Sequence, residues 1–134
     1  MKEKGSITLW MVGLVMVIFA IGGVAIDLWR GLAAHRQVAA VVDSAAIAAG
    51  SGIDDDWWRT TGALRLDPIR VDERVAAVGG ASASSVELRV TVAADGSSAT
   101  VDGETAVELT LLRLFTEGPL QVTARASAVP VLSP

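Results

Sequence analysis

Residues 7–26 read ITLWMVGLVMVIFAIGGVAI, and residues 27–50 continue as DLWRGLAAHRQVAAVVDSAAIAAG. The first stretch holds no ionisable group, and its helical length, about 1.5 Å per residue, comes to roughly 30 Å, the thickness of a bilayer hydrocarbon core. The spacing predicts a transmembrane helix over Ile7–Ile26. Trp10 and Trp29 stand about 28 Å apart along such a helix, so an indole falls near each membrane interface as an anchor. The second stretch has no proline and is rich in alanine, the strongest helix former, so the helix is expected to continue outward as a rod of about 66 Å. Steps of about 100° along it place Leu28, Leu32, Ala39, Val42 and Ala46 in one apolar stripe, with His35 inside it. Arg30, Arg36, Gln37 and Ser44 fall on the other side. Alanine at 39 and 46 in this stripe lets a neighbouring layer approach closely, and Gly50-Ser51-Gly52 supplies the stop.

The remainder reads as one small domain, residues 27–134, behind a tail at 1–6. Asp54-Asp55-Asp56 marks a solvated helix start, followed by Trp57 and Trp58, which are expected to anchor this segment on the core or the membrane surface. Asp67-Pro68 pairs an N-cap with a proline at the first helical position, and Gly79-Gly80 is expected to close that short second helix. From Val86 the period changes to two. Val86, Leu88, Val90 and Val92 alternate with Glu87, Arg89 and Thr91, and Asp95-Gly96 then turns the chain into a partner strand carrying Val101, Val107, Leu109 and Leu111. Leu112–Phe115 breaks the alternation as a helical turn, Gly118-Pro119 turns again, and a third strand sets Val122, Ala124, Ala126 and Ala128 on one face. A three-stranded antiparallel meander with one apolar face needs a cover, and the first helix is the obvious one. The fold class is therefore α+β and pilin-like, with a long N-terminal helix, a short second helix and a three-stranded β-meander.

Composition narrows the function. The nine arginines are scattered singly, both lysines lie in the first four residues and the net charge is −4, so there is no basic stripe for nucleic acid. The absence of cysteine removes disulfides and thiol chemistry. His35, the only histidine, has no carboxylate or second histidine at helical spacing for a metal, and the consecutive aspartates at 54–56 lack the alternation of a calcium loop. A membrane-tethered hydrolase would need a Ser-His-Asp set around His35, and no G-x-S-x-G elbow occurs. No catalytic, cofactor or metal residue is assigned. Orientation rests on a near tie between Lys2 and Lys4 on one side and Arg30 and Arg36 on the other, tipped by the free amino group toward a cytoplasmic N-terminus. Small residues Gly13, Ala20, Gly22 and Gly23 would permit close helix contact in the bilayer. The alternative is a signal peptide cut after Ala25, releasing a soluble binding domain.

The stretches KEKGSITLWMVGL at 2–14, AIDLWRGLAAHRQVAAVVDSAAIAAG at 25–50, RLDPIRVDERVAA and LTLLRLF resemble the TadE/TadG-like proteins of Flp (tight adherence) pilus assembly, relatives of type IV pilin-like proteins. In that family a basic tail and a Gly-Ser junction lead into the span and an aspartate closes it. The resemblance implies a single-pass protein of the bacterial cell membrane, a minor pilin or pseudopilin-like assembly component whose partners are the bilayer and other pilus or secretion proteins met through helix packing. It also implies leader-peptidase processing after Gly5. The fifth residue after that cut is Trp10 where processed pilins usually carry glutamate, which argues against a major fibre subunit.

If Ile7–Ile26 is a retained anchor, the protein stays with membranes through carbonate extraction. Recovery in the soluble fraction with an N-terminus near Ile26, read by N-terminal sequencing, would contradict it.

Overall fold

One helix, α1 (Lys4–Gly50), dominates the chain and runs unbroken through both stretches quoted above, about 70 Å from end to end. The computed structural model describes residues 4–82 and 85–132, with side chains from Ser6 onward, so Met1–Glu3 of the expected tail lie outside the described residues. Every side chain from Ser6 to Gly22 is exposed, whereas from Asp27 onward one face is covered. The helix ends where the glycine-serine-glycine stop was expected, with the Ser51 and Gly52 N–H groups donating to the Ala48 and Ala49 carbonyls at 3.1 and 3.0 Å.

The covered face is rotated from the expected one. It follows Asp27, Gly31, Ala34, Val38, Val42, Ala45 and Ala49, positions separated by three or four and so close to the helical period that the line stays straight along α1. Val42 and Ala46 are buried as expected and Ala39 half so, but Leu28 and Leu32 are 63% and 47% exposed. Those leucines sit one residue, roughly 100°, round from Asp27 and Gly31. The helix has to approach a sheet closely, so small side chains take the inner line and the bulky ones are displaced from it. His35 is exposed too, which corrects its placement in the stripe.

α2 (Asp55–Thr61) grows from the aspartate run: Asp54 is its N-cap and accepts the Trp57 N–H at 3.0 Å. α3 (Pro68–Ala81) starts as expected, with Asp67 accepting the Ile69 N–H at 3.0 Å. It does not stop at Gly79-Gly80. Neither glycine takes the left-handed conformation, the helix continues to Ala81, and Gly79 faces Leu88 of the sheet, where a Cβ would lie 3.4 Å from Leu88 Cδ1. Gly79 thins the helix where it meets the sheet, Gly80 faces open space, and neither ends the helix.

The strands β1 (Glu87–Val92), β2 (Ala99–Val107) and β3 (Leu120–Ala128) form the expected antiparallel meander in that order, with Val90 opposite Val101 and Val101 opposite Ala126, but β2 stops at Val107 and leaves Leu109 and Leu111, expected in the strand, in the connection that follows. The turn before β2 uses Gly96 at φ 68°, and Asp95 accepts the Ser97 N–H and O–H at 3.0 and 2.7 Å. α1 and α3 cover one face of the sheet, and Val38, Val42, Leu66, Val71, Val75, Val101 and Val122 meet in the core between them. α1 crosses the sheet at Gly103, where a Cβ would come within 2.3 Å of Val42 Cγ2. The other face carries Glu87, Arg89, Asp102, Glu104 and Arg125 and has no layer over it among the described residues.

In thermal melts of the full chain in detergent, Val42→Asp places an unpaired charge in this core and should cost several kcal/mol, enough to lose the fold. Gln37→Asp, on the exposed side, should change stability by about 0.5 kcal/mol or less. Gly103→Val should fall between them, near the 1–3 kcal/mol typical of an overpacked core. Equal melting of the first two variants would mean that α1 does not pack as described.

Candidate functional site

The structure brings its most specific polar arrangement to the place where the apolar run ends. Asp27 is 1% exposed, the only buried charged side chain among the described residues. Its Oδ1 accepts the Thr110 N–H at 2.9 Å, and its Oδ2 accepts those of Leu111 and Leu112 at 2.7 and 2.9 Å. These amides open the 3-10 turn Leu112–Leu114, so a carboxylate on α1 caps the start of a turn more than eighty residues later, where the N–H groups have no partners of their own. Arg30 Nη1 donates to Thr110 Oγ1 at 2.7 Å alongside. The hydrogen bonds from Leu112 and then Thr110 hold the Asp27 carboxyl below the usual carboxylate range, against the opposing effect of burial.

Packing fixes the same loop on either side of this cap. Leu111 lies against Gly23 so closely that a Cβ there would be 1.7 Å from Leu111 Cδ1, and Leu120 Cδ2 would be 3.3 Å from a Cβ at Gly31. Gly23, Asp27 and Gly31 are four apart, on one line of α1, and the β2–β3 connection (residues 108–119) clasps that line. Gly23 therefore receives a side chain of its own chain, which corrects its assignment to contacts with other helices. Gly13 and Gly22 have nothing within 4 Å of a Cβ and keep open surfaces. An acidic residue bracketed at four-residue spacing by two glycines was the signal for this site. In the sequence alone the aspartate marks only the close of the apolar run.

The other candidates separate. Trp10 and Trp29 are 74% and 69% exposed on α1. Gly5 lies in the first turn of α1, its surroundings outside the described side chains. The three aspartates have separate structural tasks: Asp54 caps α2, Asp55 pairs with Arg70 and Asp56 with Arg59. Trp57 and Trp58 are partly exposed at the outer end of α1, about 35 Å along the helix from Asp27, and Trp57 lies under the Arg65 guanidinium, 5.1 Å from its ring centre. They lie beyond the C-terminal end of α1, away from its uncovered apolar half. An open depression of about 540 Å³ on the bare sheet face is lined by Glu87, Arg89, Asp102, Glu104, Thr123 and Arg125, with Arg125 paired to Asp102. It contains no nucleophile beside a base, and no three His, Asp or Glu side chains converge as a metal site among the described residues.

Residues 5–52 match the family model described as "Putative Flp pilus-assembly TadE/G-like". The matched segment is α1 from its second residue through the turn that ends it, and it includes the Gly23-Asp27-Gly31 line while leaving out the sheet. No curated protein and no solved structure matches the chain.

Replacing Asp27 with alanine leaves the Thr110, Leu111 and Leu112 N–H groups without their acceptor. Trypsin cleavage after Arg113 in detergent-solubilised protein should then accelerate by at least about tenfold, the scale of one lost charge-assisted hydrogen bond. Because the folded-state pKa is depressed, the clasp is stabilised above the ordinary carboxylate range and released as pH falls through the folded value, so the wild type should resemble the variant only in acid. An unchanged cleavage rate in Asp27→Ala would show that the carboxylate does not hold the loop.

Proposed function

We propose that the protein is a non-catalytic, single-pass assembly component of a Flp/Tad-type pilus or secretion apparatus in the bacterial cell membrane, minor pilin or pseudopilin-like in role. The observation that carries this is the coincidence of the matched family segment with α1, a helix whose first half holds an uncovered 18-residue stretch with a mean hydropathy of 2.6, while its second half is the spine of a folded domain. A surface of that kind, about 30 Å long, suits lipid and other helices and has no use in water. In this reading Ile7–Ile26 spans the bilayer, Trp10 and Trp29 mark its two interfaces, the short basic end is cytoplasmic and residues 27–134 lie outside. The partners are other one-span assembly proteins, met through faces such as the one around Gly13.

A soluble domain released by cleavage after Ala25 suits the structure less well. The cut would remove Gly23, one side of the clasp on Leu111, and would leave Asp27 at a frayed end.

Two fusions after Pro134 test the topology: a reporter active only outside the cytoplasm should be active, and one active only inside should be silent. A photocross-linker at Gly13, in cells making the secretion apparatus, should capture other membrane proteins of that apparatus. A silent external reporter would overturn the orientation, and capture of lipid alone would count against helix-mediated assembly.

A further inference from the structure

The loop that clasps α1 presents apolar side chains that the domain does not use. Leu109 is buried and Leu111 seats on Gly23, whereas the neighbouring Leu114 and Phe115 are 76% and 82% exposed. We propose that this loop is a second membrane contact, with Leu114 and Phe115 entering the outer interfacial layer of the bilayer beside α1. The proposal rests on the reading of Ile7–Ile26 as a retained span.

Depth is the first argument. Leu111 packs on Gly23, inside the apolar run and about 4.5 Å below its end at Ile26, and the chain does not climb back to Gly31 until Leu120. The loop thus reaches about 12 Å down α1 from Gly31, to a level that a spanning helix must place in the membrane boundary. Leu28 and Trp29 are exposed on α1 between Gly23 and Gly31, the stretch that the loop spans, so exposed apolar side chains continue from the span into this level. A bilayer is the occupant that this continuity selects.

Backbone chemistry is the second argument, because non-helical chain enters a membrane boundary only where its polar groups are satisfied. Here the Thr110, Leu111 and Leu112 N–H groups donate to Asp27, those of Leu114 and Phe115 donate to the Leu111 and Leu112 carbonyls at 3.0 and 2.9 Å, and Thr116 donates to Leu112 through both its N–H and its Oγ1. Arg113, between the two apolar positions and Leu112, is exposed and long enough to lay its stem along the interface and reach a lipid phosphate.

The absence of native cysteine permits single labels on the full chain. Phe115→Cys, Val17→Cys and Thr60→Cys, each carrying an environment-sensitive fluorophore, would be reconstituted into phosphatidylcholine–phosphatidylglycerol vesicles with nitroxide quenchers near the headgroup or near the bilayer centre. Label 115 should show blue-shifted emission and lose more intensity to the headgroup-level quencher, label 17 more to the central one, and label 60 little to either. Leu114→Cys should repeat the result for 115. If 17 is quenched while 114 and 115 behave like 60, the loop lies in water or awaits a protein, and the proposal fails with the anchor intact. If 17 is not quenched, the anchor reading fails and the proposal with it.

Discussion

A buried carboxylate holding the amides of Thr110, Leu111 and Leu112 is the contact on which the junction between the apolar helix and the folded domain depends. α1 changes character along its length: an uncovered apolar stretch up to Ile26 is followed by the spine of a folded domain from Asp27. At that change its inner face offers only Gly23, Asp27 and Gly31, too little apolar area to hold a loop by burial. Directed hydrogen bonds do it instead, and the two glycines admit Leu111 and Leu120 close enough to exclude water from them.

Above the joint, packing of small residues takes over. Ala34, Ala45 and Ala49 on α1, with Gly103 beneath Val42, bring the helix axis close to the sheet, and α3 closes the side of the core through Val71 and Val75. Two helices on one face and a charged open face on the other make an asymmetric two-layer unit. That asymmetry agrees with the proposed role, in which the apolar half of α1 meets a membrane and the domain meets partners. The Tad-like segment coincides with the helix and stops before the sheet, which is where such a division of labour would put the shared part.

Legibility in the sequence followed the physical signal at each element. The period-two pattern Val86-Leu88-Val90-Val92 is strong because alternate residues must face a core, and the strand appears where it predicts. Asp54 and Asp67 announce helix starts because a carboxylate there accepts free N–H groups, and both do so. The inner line of α1 was misread because hydropathy rewards leucine, whereas close packing selects Ala34, Gly31 and Asp27 and leaves Leu28 and Leu32 outside. Gly79 shows the same ambiguity: glycine marks close approach as well as helix ends, and only the partner, Leu88, distinguishes the two. The clasp at Asp27 joins residues far apart in sequence, so no local pattern could supply its second half.

The most direct test of a helix and loop joined through Asp27 is amide hydrogen exchange at Thr110, Leu111 and Leu112 in the full chain in lipid nanodiscs at neutral pH. The account predicts that these amides exchange as slowly as those in the middle of β2, far more slowly than an irregular loop. Exchange at the rate of the exposed residues around Glu117 would contradict it, because the carboxylate would then not be holding them.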